Sequence, residues 1–310
     1  MLGACGCVPP VERRSKIPRL GFVSPASRDR ELFVQALRGI GYVEGRSIAI
    51  ESRTAGESDE QLTPAIEELA RLPADVIVIA GTPAALAAKR TTGTIPIVFF
   101  SVGDPVVSNV VASLARPGGN VTGVTNVSPQ AIGKGLEYLL QLTPGVTRVA
   151  FMGNLANPGS RLQFAAAQSA AATIGVQIVD FGLRDAGDID RIFETFSNSG
   201  VKAVMVGTDA ITINNQARIV DLAARYRLPA LYNGRDFALA GGLISYGPNY
   251  AALWERVADL VDKILHGRAP GDLPVEQPTR FDLVVNTKTA QALDITVPQA
   301  ILAQATEVVR

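Results

Sequence analysis

From Arg19 onward, short apolar runs alternate with longer stretches in which apolar residues recur every three or four positions. These are the marks of buried strands and of amphipathic helices. Leu20–Val23, Ser47–Glu51, Val76–Ala80, Ile97–Phe100 and Val121–Val124 read as strands. Between them, Phe33, Leu37 and Ile40 form one helical stripe. Leu62, Ile66 and Leu69 form a second behind a Ser58–Gln61 capping box, and Thr82-Pro83 opens a third helix. Val76–Ala80 contains no polar residue, as expected of a central parallel strand covered on both faces. The rhythm then repeats. Val149–Met152, Val176–Asp180, Ala203–Val206, Ala230–Tyr232 and Leu243–Ser245 read as strands, with helices near 158–173, 187–198, 212–226 and 234–240. In the 212–226 helix, Ile213, Ala217, Val220 and Ala224 form the stripe. A helix opening at Asn249 carries Leu253, Val257, Leu260 and Ile264 and stops at Gly267. Pro270, Pro274 and Pro278 follow, and because proline cannot donate to a central ladder they predict a strap over the surface. A last strand, Phe281–Val285, and two short helices complete the chain.

Two consecutive β-α series predict an α/β protein of two doubly wound parallel-sheet lobes. The expected division is a leader at 1–16, a first lobe at 17–124 plus 250–276, and a second lobe at 125–249 plus 277–310. The chain would cross between lobes near Thr125, near Gly247 and in the proline-rich strap.

A chain of 310 residues suffices for two such cores, and its 47% apolar content is that of a globular protein. Charges balance at 29 basic against 29 acidic residues without long runs, so no nucleic-acid partner is expected. No apolar run reaches membrane-spanning length. His266 is the only histidine, and Cys5 and Cys7 are the only cysteines. A Ser-His-Asp triad or a multi-histidine metal cage therefore has almost nothing to be built from, and no cofactor is expected. G-x-G-x-x-G after the first strand, a phosphate loop and a G-x-S-x-G elbow are all missing. His266, in the last turn of its helix, reads as a structural residue facing free carbonyls. Leu2-Gly3-Ala4-Cys5 resembles the cleavage site before a lipid-modified cysteine, but no apolar signal segment precedes it. A disordered leader running to about Lys16 is the simpler expectation.

In open parallel sheets, ligands bind beyond the carboxyl ends of the strands, where helix N-termini converge. In the first half those positions hold Ser24-Pro25, Gly81-Thr82-Pro83, Ser101 and Asp104. In the second they hold Asn154, Thr208-Asp209, Asn233-Gly234-Arg235-Asp236 and Ser245. Thr82 reads as an N-cap before a proline, which either serves its own helix or aims backbone donors at a ligand carboxylate. Asp209 and Asp236 either neutralise a ligand ammonium group or cap the helices that follow them. Arg235 either clamps a carboxylate with its planar fork or is a solvated turn residue. Phe100, Tyr232, Phe237 and Tyr246 either wall an apolar side-chain pocket or pack into the core.

Several strings resemble one family of ABC transporter substrate-binding proteins. They include Leu20-Gly21-Phe22-Val23, Gly39-Ile40-Gly41-Tyr42-Val43-Glu44-Gly45-Arg46 and Ala80-Gly81-Thr82-Pro83-Ala84-Ala85. They continue through Gly103-Asp104-Pro105-Val106 and Leu114-Ala115-Arg116-Pro117-Gly118-Gly119-Asn120-Val121-Thr122-Gly123. Gly241-Gly242-Leu243-Ile244-Ser245-Tyr246-Gly247-Pro248 and Leu273-Pro274-Val275-Glu276-Gln277-Pro278-Thr279 complete the colinear set. The resemblance spans residues 19–310. It implies a type I periplasmic-binding-protein (Venus-flytrap) fold, export from the cytoplasm, and a monomer that delivers a small solute to a permease and its ATPase. Family members with assigned ligands resemble aromatic amino-acid binders. Ser108-Asn109 departs from the glycine and apolar residue expected after Asp104-Pro105. The expected ligand-binding set is Ser24, Gly81, Thr82, Ser101, Asp104, Thr125, Asn154, Asp209, Asn233, Asp236 and Tyr246. Two other readings remain at this stage: the effector domain of a transcription regulator, for whose DNA-binding helices residues 1–18 are too short, and an α/β enzyme acting on a small metabolite.

Overall fold

The computed structural model describes residues 17–54, 59–126 and 128–310. Ser58 of the expected capping box, and Cys5 and Cys7, lie outside these residues. The first sheet is built from β1 (Arg19–Ser24), β2 (Ala49–Thr54), β3 (Val76–Ala80), β4 (Ile97–Val102) and β5 (Val121–Thr125), interleaved with α1 (Ser27–Gly39), α2 (Asp59–Arg71) and α3 (Thr82–Thr91). Its order is β2-β1-β3-β4-β5, and every pairing is parallel. The unbroken apolar run of β3 has the predicted cause. Val76 and Val78 pack into the core shared with α1, while Ile77 and Ile79 pack on the other face beneath α2 and α3.

The second series runs α4 (Pro129–Leu142), β6 (Arg148–Gly153), α5 (Pro158–Thr173), β7 (Gln177–Gly182), α6 (Asp188–Ser199) and β8 (Ala203–Val206). It continues with α7 (Ala210–Asn214), α8 (Gln216–Arg225), β9 (Ala230–Tyr232), α9 (Arg235–Leu239), β10 (Ile244–Pro248) and α10 (Tyr250–Leu265). After a 3-10 turn come β11 (Phe281–Asn286), α11 (Thr287–Ala292), α12 (Gln299–Gln304) and β12 (Glu307–Val309). The sheet order is β12-β11-β10-β9-β8-β6-β7. β11 runs antiparallel to β10, and β12 adds parallel to β11. α10 returns to the first sheet: Leu253, Trp254, Val257 and Val261 complete the core over Phe22, Val78, Val98 and Phe100.

Several expectations change. Ile40 is not part of the α1 stripe; it is the C-cap residue, 41% exposed. The helix expected over 212–226 is two, broken at Asn215, whose side-chain amide donates to the Ile211 carbonyl. The break turns Ile219, Val220, Leu222 and Ala223 inward instead of the stripe through Ala217 and Ala224. The strap is not purely superficial. Leu273 and Val275 are buried, and Thr122 Oγ1 donates to the Leu273 carbonyl. Beside it, Glu276 pairs with β5, its N–H donating to the Gly123 carbonyl and its carbonyl accepting from the Thr125 N–H. The chain passes between the sheets after β5, at 248–250 and at 276–281; Glu276 pairs beside the end of β5 and Phe281 beside the end of β10. Arg256 of α10 grips Glu276 with two hydrogen bonds, of 2.6 and 2.8 Å, across this crossing.

Candidate functional site

The carboxyl ends of the two sheets face one another across a cavity of about 520 Å³. One wall carries Pro25, Asp29, Gly81, Thr82, Phe100, Ser101, Gly103, Asn126 and Tyr250. The other carries Asn154, Asn157, Gly159, Gln163, Thr208, Asp209, Ile211 and Ile213, with Arg184 at its edge. The N-termini of α3 and α5 meet here. A Cβ added at Gly159 would stand 3.1 Å from Thr82 Oγ1 and 4.0 Å from the Gly103 nitrogen. Two helix N-termini, each equivalent to about half a positive charge, thus converge on one cavity. Ser101, the penultimate residue of β4, stands at φ 59°, where the register with β5 shifts. A non-glycine residue held in the left-handed region marks a position fixed by its surroundings.

Of the residues expected at the site, Gly81, Thr82, Ser101, Asn154 and Asp209 line the cavity together. Thr82 does so as the first helical residue, not as the cap; Gly81 is the N-cap, and Thr82 Oγ1 accepts from the Gly103 N–H at 3.2 Å. Asp209 caps α7 through a complete capping box and is already occupied. Oδ1 accepts from the Thr212 N–H, and Oδ2 accepts from the Asn154 N–H and Ser160 Oγ. Ser24 and Thr125 are buried just behind the wall. Asn233 is also one step removed, its amide donating to Thr208 Oγ1 at 2.9 Å.

The remaining candidates lie elsewhere. Asp104 holds its own turn by accepting from the Val106 and Val107 N–H groups. Asp236 is outside the cavity, in an ion pair with Arg28 that ties α9 to α1 across the lobes. Arg235 is paired with Glu307. Tyr246 packs edge-on to Tyr138 and stacks on Phe281 in the second core, while Tyr232 and Phe237 stack on each other. Of the four aromatics, only Phe100 reaches the cavity. His266 Nδ1 lies 2.9 Å from the Asp262 carbonyl, the helix-end arrangement its position predicts.

Sequence reasoning missed Asp29, Asn126, Gln163 and Tyr250. Asp29 sits in the first turn of α1 and accepts from Ser24 Oγ at 2.5 Å. Burial pushes its carboxyl up to about 6, although Ser24, the Trp254 indole and Arg28 favour the charged form. Asn126 and Tyr250 belong to crossing segments. Asn126 Oδ1 and Tyr250 Oη are buried without a hydrogen-bond partner, a state that costs roughly 1–3 kcal/mol per group. Burial pushes the Tyr250 hydroxyl up to about 12, with Asn126, Asp29, Thr208 and Ser101 as its polar neighbours.

The Asp29 shift makes stability depend on pH. Its folded value of about 6 exceeds the ordinary carboxylate value of about 3.9. The folded state therefore holds the extra proton between those limits, and stability falls as pH rises from about 4 to about 6. The facing groups are Arg28 on the same helix, Ser24 on β1, and Tyr250 and Trp254 on α10. Urea midpoints of the unliganded protein measured from pH 4 to 7 should show this fall relative to Asp29→Asn. Parallel profiles for the two proteins would refute it.

A family model described as ABC transporter substrate binding protein matches residues 20–309. A tyrosine-binding protein of Clostridioides difficile (strain R20291) is 27% identical over 264 residues, covering 85% of this chain and 75% of that protein. The crystal structure of a conserved domain protein from Vibrio cholerae superposes with a TM-score of 0.89 at 26% identity, over 94% of this chain and all of that one. An ABC domain from Streptococcus pneumoniae in complex with L-Trp gives 0.88 at 23% identity, over 95% and 100% of the two chains.

Proposed function

Because the chain belongs to the ABC transporter substrate-binding protein family, we propose that it is the extracytoplasmic capture component of an importer. In this reading it holds an aromatic amino acid between its lobes and passes it unchanged to a permease driven by an ATPase. The observation that carries this reading is the cavity between the two sheet ends, whose walls come from both lobes and include Asn126 and Tyr250, two residues with orphaned polar atoms. Its volume suits one small solute. The converging N-termini of α3 and α5 suit the carboxylate, with Thr82, Ser101 and Asn154 as further hydrogen-bonding groups. The apolar part of the wall, Phe100, Leu62, Ile211 and Ile213, suits a large apolar side chain. The tyrosine- and L-Trp-binding relatives support the same ligand class.

A ligand that touches both walls favours closure, since the open state offers it only one set of contacts. Titrating the protein with the twenty amino acids should raise the melting temperature for at least one aromatic member. The mass-action gain is about 2.7 kcal/mol at a hundredfold excess over Kd. The single tryptophan, Trp254, stacks 3.8 Å from Phe100 in the cavity wall, so its fluorescence should change with the same titration. Chemical conversion of a bound amino acid, or a shift produced by none of the twenty, would overturn the reading.

A further inference from the structure

We infer that Asp29, Asn126 and Tyr250 form a subsite for a protonated amine, so that this protein selects its ligand for an ammonium group from the first lobe and the crossing segments. The inference rests on the proposed capture of an amino acid and specifies which wall reads the amine.

Among the described residues, three charged ones border the cavity: Asp29, Asp209 and Arg184. Asp209 is the carboxylate that strand-end position suggests, but its oxygens already accept from Asn154, Ser160 and Thr212 inside the second lobe. Arg184 repels a cation. Asp29 differs, because its partners are only a hydroxyl and an indole: Ser24 donates to Oδ2 and the Trp254 indole lies beside the carboxyl, which leaves acceptor capacity free. Beside it, Tyr250 Oη and Asn126 Oδ1 are buried without a hydrogen bond of good geometry, each a polar neighbour of the other, and Asn126 is only 5% exposed. All three residues line the cavity, and a carboxylate, an amide oxygen and a phenolic oxygen match the three donors of an ammonium group. The ammonium would also relieve the burial that holds the Asp29 carboxyl near 6. The carboxylate end of the ligand is served separately, by the helix N-termini around Gly81 and Gly159.

Placement also couples amine recognition to closure. Asn126 follows β5 where the chain first leaves the first sheet, and Tyr250 opens α10 where it returns. A ligand held by both is held by two of the three crossing segments.

The test is calorimetric titration of the full chain with three matched pairs: L-tyrosine and 3-(4-hydroxyphenyl)propionate, L-tryptophan and indole-3-propionate, L-leucine and 4-methylpentanoate. The wild type should bind an amino acid at least about 30-fold more tightly than its deaminated partner. In Asp29→Asn that ratio should fall towards one, and in Tyr250→Phe, which keeps the ring, it should fall by roughly tenfold. Circular dichroism melts establish that each variant is folded. A ratio unchanged in folded Asp29→Asn, stronger wild-type binding of the deaminated acids, or binding of none of the six overturns the subsite. Preference for leucine over its deaminated partner, with no binding of the aromatic pairs, upholds the subsite and overturns the aromatic reading instead.

Discussion

Replacing Trp254 with alanine should lower the unfolding free energy by about 3–5 kcal/mol, the usual cost of deleting a fully buried large aromatic. Trp254 is fully buried, stacks on Phe100 at 3.8 Å and 17°, and lies 5.4 Å from Phe33 and 5.8 Å from Phe22. It therefore joins α10 to α1 and to β1 and β4 of the first sheet. The corresponding drop in melting temperature is on the order of 10 °C. The indole N–H is buried near the Asp29 carboxyl but without a hydrogen bond of good geometry, which leaves it close to an orphan. Trp254→Phe removes that orphan while keeping a ring, so it should lose less than half as much stability as Trp254→Ala. The functional consequence follows from Phe100, which lines the cavity on the far side of the stack. Without Trp254 its ring loses support, and ligand affinity should fall together with stability. Urea unfolding and calorimetry measure the two effects; a stability loss below about 1 kcal/mol for Trp254→Ala would contradict this account.

Gly247→Ala should be nearly as damaging, by a different cause. A Cβ at Gly247 would lie 1.8 Å from the Asn233 carbonyl oxygen and 2.6 Å from Asn233 Oδ1. No rotamer change relieves a clash with backbone, so β10 and the segment after β9 must separate. Overpacking of this kind costs typically 1–3 kcal/mol and occasionally more, and the contact here places it at or above about 3 kcal/mol. Asn233 holds Thr208, a cavity residue, through a 2.9 Å hydrogen bond, so ligand affinity should drop as well. Gly93→Ala, where an added Cβ meets nothing within 4 Å, is the control. It should stay within about 0.5 kcal/mol of wild type. Equal melting temperatures for Gly247→Ala and Gly93→Ala would show that the two strands separate freely.

The local pattern carried most of the architecture. Strands such as β3 and β4 read as continuous apolar runs because both their faces are covered, and helices such as α2 and α10 read as stripes because one face is. Strand-end position picked out Gly81, Thr82, Ser101, Asn154 and Asp209, which line one cavity, since a parallel sheet puts every such end on one side. α4 was illegible: Gly133 and Gly135 in its first turns look like breakers. Only the tertiary structure shows why they are tolerated. A side chain at Gly133 would meet Ala170 of α5 at 3.2 Å, and one at Gly135 would meet Leu231 of β9 at 3.2 Å. Ser128 caps the helix by accepting from the Ala131 N–H, ahead of Pro129. β12, three residues long, is equally invisible without β11 to pair with.

The sequence by itself determined the two α/β layers and the side of each sheet on which the strand-end polar residues gather, because both follow from apolar runs alternating with stripes of period 3.6. It could not determine which polar groups remain free once the chain is folded. Asp209, Asp236 and Arg235 are spent on partners 3 to 208 residues away, while Asp29, Asn126 and Tyr250, unremarkable in the chain, meet at the cavity. Apart from a local cap such as that of Asp209 on Thr212, whether a hydrogen-bonding group is satisfied depends on neighbours brought by long-range packing.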